Sequence, residues 1–182
     1  GYDDDRPLMV SDVTVNEASP YAVFTVTGAA GQFTQLALLN GTAANDLDTS
    51  RTLDGTDDFG PTLEVFNPTT NAWEAYTANS FVSIPTGGRL LVRTPVVNDT
   101  SDEGNQTFTL RATNTGNSSD DGLGTINDRG TGDIFLPDNK TPTPSAPTDP
   151  GYPAQLDDDR PLTVGDVTVN EASPYAVFTV DG

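Results

Sequence analysis

Short runs in which apolar and polar residues alternate recur along this chain, each broken off by Gly, Asn, Asp or Pro. "VTV" (13–15) and "AVFTV" (22–26) come first, then "FTQLALL" (33–39) and "TLEVF" (62–66). "WEAYT" (73–77), "RLLVRTPVV" (89–97) and "QTFTLRAT" (106–113) follow. In the last run Phe108, Leu110 and Ala112 fall on one side, and Thr109, Arg111 and Thr113 on the other. A period of two is that of an extended strand with one buried and one wet face. No stretch sustains a 3.6-residue period, and frequent Thr, Val and Gly disfavour long helices.

Short strands at this spacing predict an all-β chain, an immunoglobulin-like antiparallel β-sandwich. Trp73 and the scattered Phe and Tyr residues are expected among its larger core pieces. The pattern then restarts. Residues 3–28 and 157–182 align at an offset of 154 and differ only at Met9/Thr163, Ser11/Gly165 and Thr27/Asp181, so 23 of 26 positions are identical. Surface positions tolerate most substitutions, so identity that includes them indicates recent duplication rather than shared packing needs. The chain reads as one complete repeat, 1–138, followed by the first strands of the next, 157–182. Between them, residues 139–156 continue a Pro-rich stretch that begins at "LPDNK" (136–140). Proline removes backbone donors and fixes φ, so this join is expected to be an extended, semi-rigid spacer outside any sheet. Two strands cannot bury a core alone. The second copy is therefore expected either to pack where residues 3–28 normally sit, in cis or by strand exchange with a neighbouring molecule, or to form an isolated extension.

Composition narrows the chemistry. The chain has 182 residues, 27 Asp plus Glu against 8 Lys plus Arg, a net charge of −19, no Cys and no His. Such a charge repels nucleic acid and anionic membranes, both of which need cationic contacts, and attracts divalent cations. No apolar run approaches the ~18 residues of a membrane span, so no direct membrane insertion is expected. Without cysteine the protein belongs either to a reducing compartment or to an extracellular one in which disulfides are not used. The acidity favours the second, with calcium in the place of disulfides. Lack of His removes the commonest general base, and no GxSxG, HExxH or phosphate-binding loop is present. Catalysis is not expected.

The carboxylates gather in the turns. Asp3 and Asp5 belong to an acidic triplet that recurs as 157–159, with Asp157 and Asp159 at the same places. Glu17 ends the first strand, Asp58 lies in "GTDDFG", Asp99, Asp102 and Glu103 in "VVNDTSDEGNQTF", and Asp128 in "GTINDRG". Loops between alternate strands of a sandwich meet at one end, where such carboxylates need a compensating cation to stay ionised together. Oxygen ligands without His or Cys select a hard ion, and six to eight oxygens suit Ca2+ better than magnesium. The competing reading is acidic loops that are merely solvated. For the triplets the alternatives are calcium bridging neighbouring repeats or the same solvation.

The order "VNEA…FTV", "GTDDFG", "VSIPTGGRLLVRTPVVNDTSDEGNQTFTL", "GTINDRGTGDIF" resembles the Calx-β domain over roughly residues 10–135. It is also similar to the tandem repeats of giant bacterial adhesins exported by type I secretion (RTX-type). The resemblance implies calcium at Glu17, Asp58, Asp99, Asp102 or Glu103, and Asp128. Phe59 stands where Tyr is usual, Asn127 and Arg129 thin out the closing acidic run, and the glycine-rich GGxGxD calcium motif is missing. The resulting expectation is a calcium-rigidified structural extender on the bacterial cell surface, its partners the neighbouring repeats of the same chain. Near-identical repeats in series suit spacing, because each adds length and needs no distinct site. The alternative is a module that binds a sugar or protein through its end loops, with "NGTAANDLDTSRTLDG" (40–55) the first place to look.

Overall fold

The computed structural model describes residues 4–43 and 58–182. All regular structure among them is strand. Strands β1 (Met9–Val10), β2 (Val13–Asn16), β3 (Tyr21–Thr27), β4 (Phe33–Asn40), β5 (Glu64–Asn67) and β6 (Ala72–Ala75) come first. They are followed by β7 (Val82–Ser83), β8 (Arg89–Pro95), β9 (Asn105–Asn114), β10 (Ser119–Asn127), β11 (Thr163–Val164) and β12 (Val180–Asp181). Two five-stranded sheets, ordered β1-β3-β8-β5-β6 and β2-β10-β9-β4-β7, face each other as an immunoglobulin-like β-sandwich. Every alternating run in the sequence overlaps one of these strands.

Among the strands just named, the pairing is antiparallel except at one place. After β1 pairs with β3, the chain crosses to the other sheet and β2 runs parallel to β10, with Asn16 opposite Asn127. That parallel register matters for the site, because both strands deliver their next residue to the same end of the sandwich. Phe108, Leu110 and Ala112 point inward and are fully buried, as their alternation requires. Phe59 stacks on Phe108 with ring centroids 4.3 Å apart, and Phe24 meets Phe108 edge-on at 5.7 Å. Val15, Val26, Leu90, Val92 and Ile126 fill the space around these rings. Burial of this apolar surface supplies the main drive to fold.

Two features depart from the sequence expectations. Trp73 packs against the edge of the core rather than within it. Its ring lies over the Arg93 guanidinium, 4.4 Å from the centroid, and its indole N–H donates to the Asn139 carbonyl at 2.9 Å. The Pro-rich join is not an extended spacer. It turns back on its own body, with the Ser145 amide bonded to the Ile134 carbonyl at 2.8 Å and the Pro137 carbonyl accepting from Arg93 Nη1 at 2.8 Å. Proline forbids ladder pairing but not turns. Here an aromatic and a cation on the outer face of β6 and β8 supply the donors that hold the segment down.

In this chain 157–182 does not take the place of residues 3–28. Its β11 and β12 pair with each other, Thr163 with Asp181 and Val164 with Val180, in the register of Met9–Thr27 and Val10–Val26.

Candidate metal centre

The end of the sandwich where β2 and β10 finish and β9 begins gathers several carboxylates. The parallel pair sets the geometry: Glu17 follows Asn16, Asp128 follows Asn127, and the Glu17 amide bonds the Asn127 carbonyl at 3.0 Å. The β8–β9 connection wraps over them. The Asp99 amide donates to Glu17 Oε1 at 2.6 Å, and the Glu103 amide donates to Asp128 Oδ2 at 2.7 Å. Asp58 enters from the side, its carbonyl accepting from the Val97 amide at 3.0 Å. Glu17 and Asp58 are 7% exposed and Asp128 only 2%.

The last member comes from beyond the join. Asp157 brings a carboxylate oxygen to within 4.8 Å of those of Glu17 and Asp128. Its backbone is clamped, with the amide donating to Asn16 Oδ1 at 2.8 Å and the carbonyl accepting from the Gly130 amide at 2.7 Å. Asn98 Nδ2 donates to Asp157 Oδ2 at 2.7 Å.

Electrostatics at this end are strained. Burial pushes the Glu17 carboxyl up to about 8; the charges of Asp128, Asp99 and Asp157 add to the effect and the Asp99 amide opposes it. Burial likewise raises Glu103, with Asp58 beside it contributing, and raises Asp159 with Asp157 and Asp128 contributing. Asp128 Oδ1 and Asp159 Oδ2 are buried and accept no hydrogen bond. A buried acceptor without a donor carries a desolvation cost of about 1–3 kcal/mol, more when charged. A hard divalent cation relieves both strains at once, since it satisfies orphan oxygens and neutralises repulsion. Glu17, Asp128 and Asp157 are the residues that fit it.

Other expected ligands are placed as follows. Asp99 and Glu103 adjoin the cluster through the bonds just described. Asp102 is engaged by Arg129, Nε to Oδ1 3.1 Å, so the arginine in the closing motif takes up one of the implied carboxylates. Asp5 lies in the stretch tied to the opposite end, where the Asp4 amide bonds Thr115 Oγ1 at 2.8 Å in the β9–β10 turn. Asp3 is outside the described residues, as is most of the 40–55 loop.

Sequence reasoning overlooked Asn16. It is fully buried, its Nδ2 lies 3.1 Å from the carbonyls of Asn127, Thr131 and Asp157, and its Oδ1 also caps the Ala18 amide at 3.0 Å. Only its place beside Glu17 in the duplicated "VNEA" could have drawn attention to it.

No family model matches the chain, and no curated protein matches it. Among solved structures it is similar to the apo-form Calx CBD1 domain, with 15% identity, 65% of this chain and 95% of that one covered, and a TM-score of 0.39. The calcium binding domain CBD12 of CALX1.1 gives 16% identity, 68% and 46% coverage, and a TM-score of 0.41. A conjugative transposon lipoprotein from Bacteroides eggerthii gives 8% identity, 66% and 97% coverage, and a TM-score of 0.38.

Proposed function

We propose that this chain is a structural extender repeat of a bacterial surface adhesin, exported to the cell exterior and made rigid there by calcium, which spaces a distal binding region from the cell. The observation that carries the reading is the buried carboxylate cluster of Glu17, Asp128 and Asp157, with Asp128 Oδ1 left without a donor. The duplicated 26-residue opening supports a tandem array, and the sequence resemblance to Calx-β and type I-secreted adhesin repeats supports the setting. The reading assigns the chain no catalytic step.

In this scheme the protein's own groups set the response. Where calcium is scarce, Glu17 is a buried acid held protonated beside the charges of Asp128 and Asp157, and the end loops are penalised. Where it is plentiful, binding adds RT ln(1 + [L]/Kd) to stability. With Kd of roughly 10⁻⁴–10⁻³ M, typical of extracellular modules, about 10 mM calcium adds about 1–3 kcal/mol per site. The test is thermal unfolding in excess chelator and again in 10 mM calcium. A rise of several degrees that saturates with calcium, is not reproduced by magnesium and disappears in Glu17→Gln is the expected result. An unchanged midpoint overturns the reading in favour of a merely solvated acidic end.

A further inference from the structure

We propose that the outer face of the sheet β1-β3-β8-β5-β6 carries a groove for an extended, carboxylate-bearing sugar chain, with Arg89 at its centre and Thr27 setting whether anions are accepted. Charge singles out the place. The chain carries a net charge of −19, and Arg6, Arg93, Arg111, Arg129 and Arg160 each hold a carboxylate. Among the described residues Arg89 and Lys140 hold none, and both line one cavity of about 260 Å³. No described carboxylate lines it, and Phe66, Leu91 and Pro142 give it apolar walls.

The duplicated opening singles it out again. A neighbouring cavity of about 290 Å³ shares Arg89 and Pro142 with the first and continues it over β3 and β1, where Met9, Ser11 and Thr27 line it. These are the three positions at which the two copies differ. Exposure alone does not select them, because Asp5, Arg6, Pro7, Asp12 and Thr14 are exposed too and are the same in both copies. Variation confined to one groove, in a duplicate otherwise kept, is the mark of a recognition surface rather than a packing one. Thr27 lies directly opposite Arg89 on the neighbouring strand, and its counterpart in the second copy is Asp181. A carboxylate at position 27 would pair with the guanidinium across the strands and turn anions away.

The shape selects the ligand. The two cavities run across β1, β3, β8 and β5 rather than along a strand edge, so they offer no row of free backbone groups to pair with a peptide. The face presents two cations, the hydroxyls of Ser11, Thr25, Thr27 and Thr86, and apolar patches at Met9 and Phe66. That set suits a chain of uronate sugars: guanidinium and ammonium for carboxylates, hydroxyls for hydroxyls, apolar walls for the C–H faces of the rings. The folded-back join is part of the site. Asn139 Oδ1 accepts from the Thr141 amide at 2.8 Å and its Nδ2 donates to the Thr143 carbonyl at 2.8 Å, a local frame that holds Lys140 and Pro142 in place. Trp73 anchors that frame to the sheet through the Asn139 carbonyl.

The experiment is titration calorimetry of the full chain, in calcium-containing buffer, with a hyaluronan hexasaccharide whose glucuronates supply the carboxylates. Its carboxyl-reduced neutral form and hexaglutamate are titrated alongside. The expected result is binding of the hexasaccharide that weakens as salt is raised and is about tenfold weaker in Arg89→Gln/Lys140→Gln and in Thr27→Asp. All three side chains are exposed, so both variants should melt with the parent. Equal affinity for the neutral form, or parent-like affinity in both variants, overturns the proposal. Hexaglutamate bound as tightly as the hexasaccharide also overturns it, in favour of an acidic-peptide surface. A parent that binds no hexasaccharide overturns it as well, and leaves the calcium reading untouched.

Discussion

At the residue scale the most informative side chain is Glu17. Its type and place at the end of a strand were legible in the sequence; its burial, and the charges of Asp128 and Asp157 that face it, were not, because they come from 111 and 140 residues further along. A folded-state value of about 8 against an ordinary 4.5 means that the folded protein holds a proton that the unfolded chain has released. The associated stability is therefore present below about pH 4.5 and lost as pH rises through about 8. Without metal, the unfolding midpoint in urea should fall between pH 5 and pH 8.5, and Glu17→Gln should flatten that slope. Calcium binding at pH 7 should expel a proton, detected as a binding enthalpy that varies with the ionisation enthalpy of the buffer. Arg93 is the counterpart away from the site. It is buried, bonds Glu64 Oε2 at 2.6 Å and lies 3.8 Å from the Tyr21 ring centroid and 4.4 Å from that of Trp73. Arg93→Ala should cost roughly 2–4 kcal/mol by denaturant unfolding, since it strands a carboxylate and frees the Pro137 carbonyl. Arg93→Lys should recover only part of this, because an ammonium cannot serve both partners and stack as well.

At the element scale the longest strand that periodicity missed is β10, "SDDGLGTIN". Two glycines and two aspartates hide its alternation, and the reason for the glycines is tertiary. A Cβ on Gly124 would lie 2.6 Å from the Phe108 ring, and one on Gly122 would lie 2.3 Å from the Ser11 carbonyl, where the chain crosses from β1 to β2. The backbone is thin where two neighbours press on it, so the segment looks like a loop in sequence while it pairs on both sides, with β9 and β2. Gly124→Val raises intrinsic strand preference, yet it should destabilise the protein by roughly 1–3 kcal/mol or more through overpacking. A lower urea midpoint at unchanged slope is the expected outcome. Because β10 positions Asp128, calcium affinity should fall as well.

At the scale of the whole molecule, nearly the same 26 residues occur twice, packed against the sandwich in the first copy and exposed at 157–182. Leu8 is 6% exposed and Leu162 72%; Phe24 is fully buried and Phe178 58% exposed. All three positions at which the copies differ are exposed in the first copy, so the side chains that the first copy buries are common to both. Amide hydrogen exchange should separate the copies by several orders of magnitude, protected at 13–16 and 21–27 and fast at 167–170 and 175–179. Equal rates would show that the body contributes little to ordering its own opening strands.

The two copies also separate causes that act along the chain from causes that act across the fold. Features set by neighbours in the chain appear in both copies. The Asp4–Arg6 pair recurs as Asp158–Arg160, the Asn16 cap on Ala18 as Asn170 on Ala172, and the Ser19 bond to the Tyr21 carbonyl as Ser173 to Tyr175. The register of the opening strands is likewise shared. Alternation, turn chemistry and short-range hydrogen bonds need only a few residues, so they could be read directly from the letters. The second copy of β2 does not form at 167–170, where no β10 lies alongside, and Glu171 stays exposed where Glu17 is buried. Burial, desolvation and the meeting of carboxylates from both sides of a repeat boundary depend on residues more than a hundred positions apart. Only the folded sandwich brings those together.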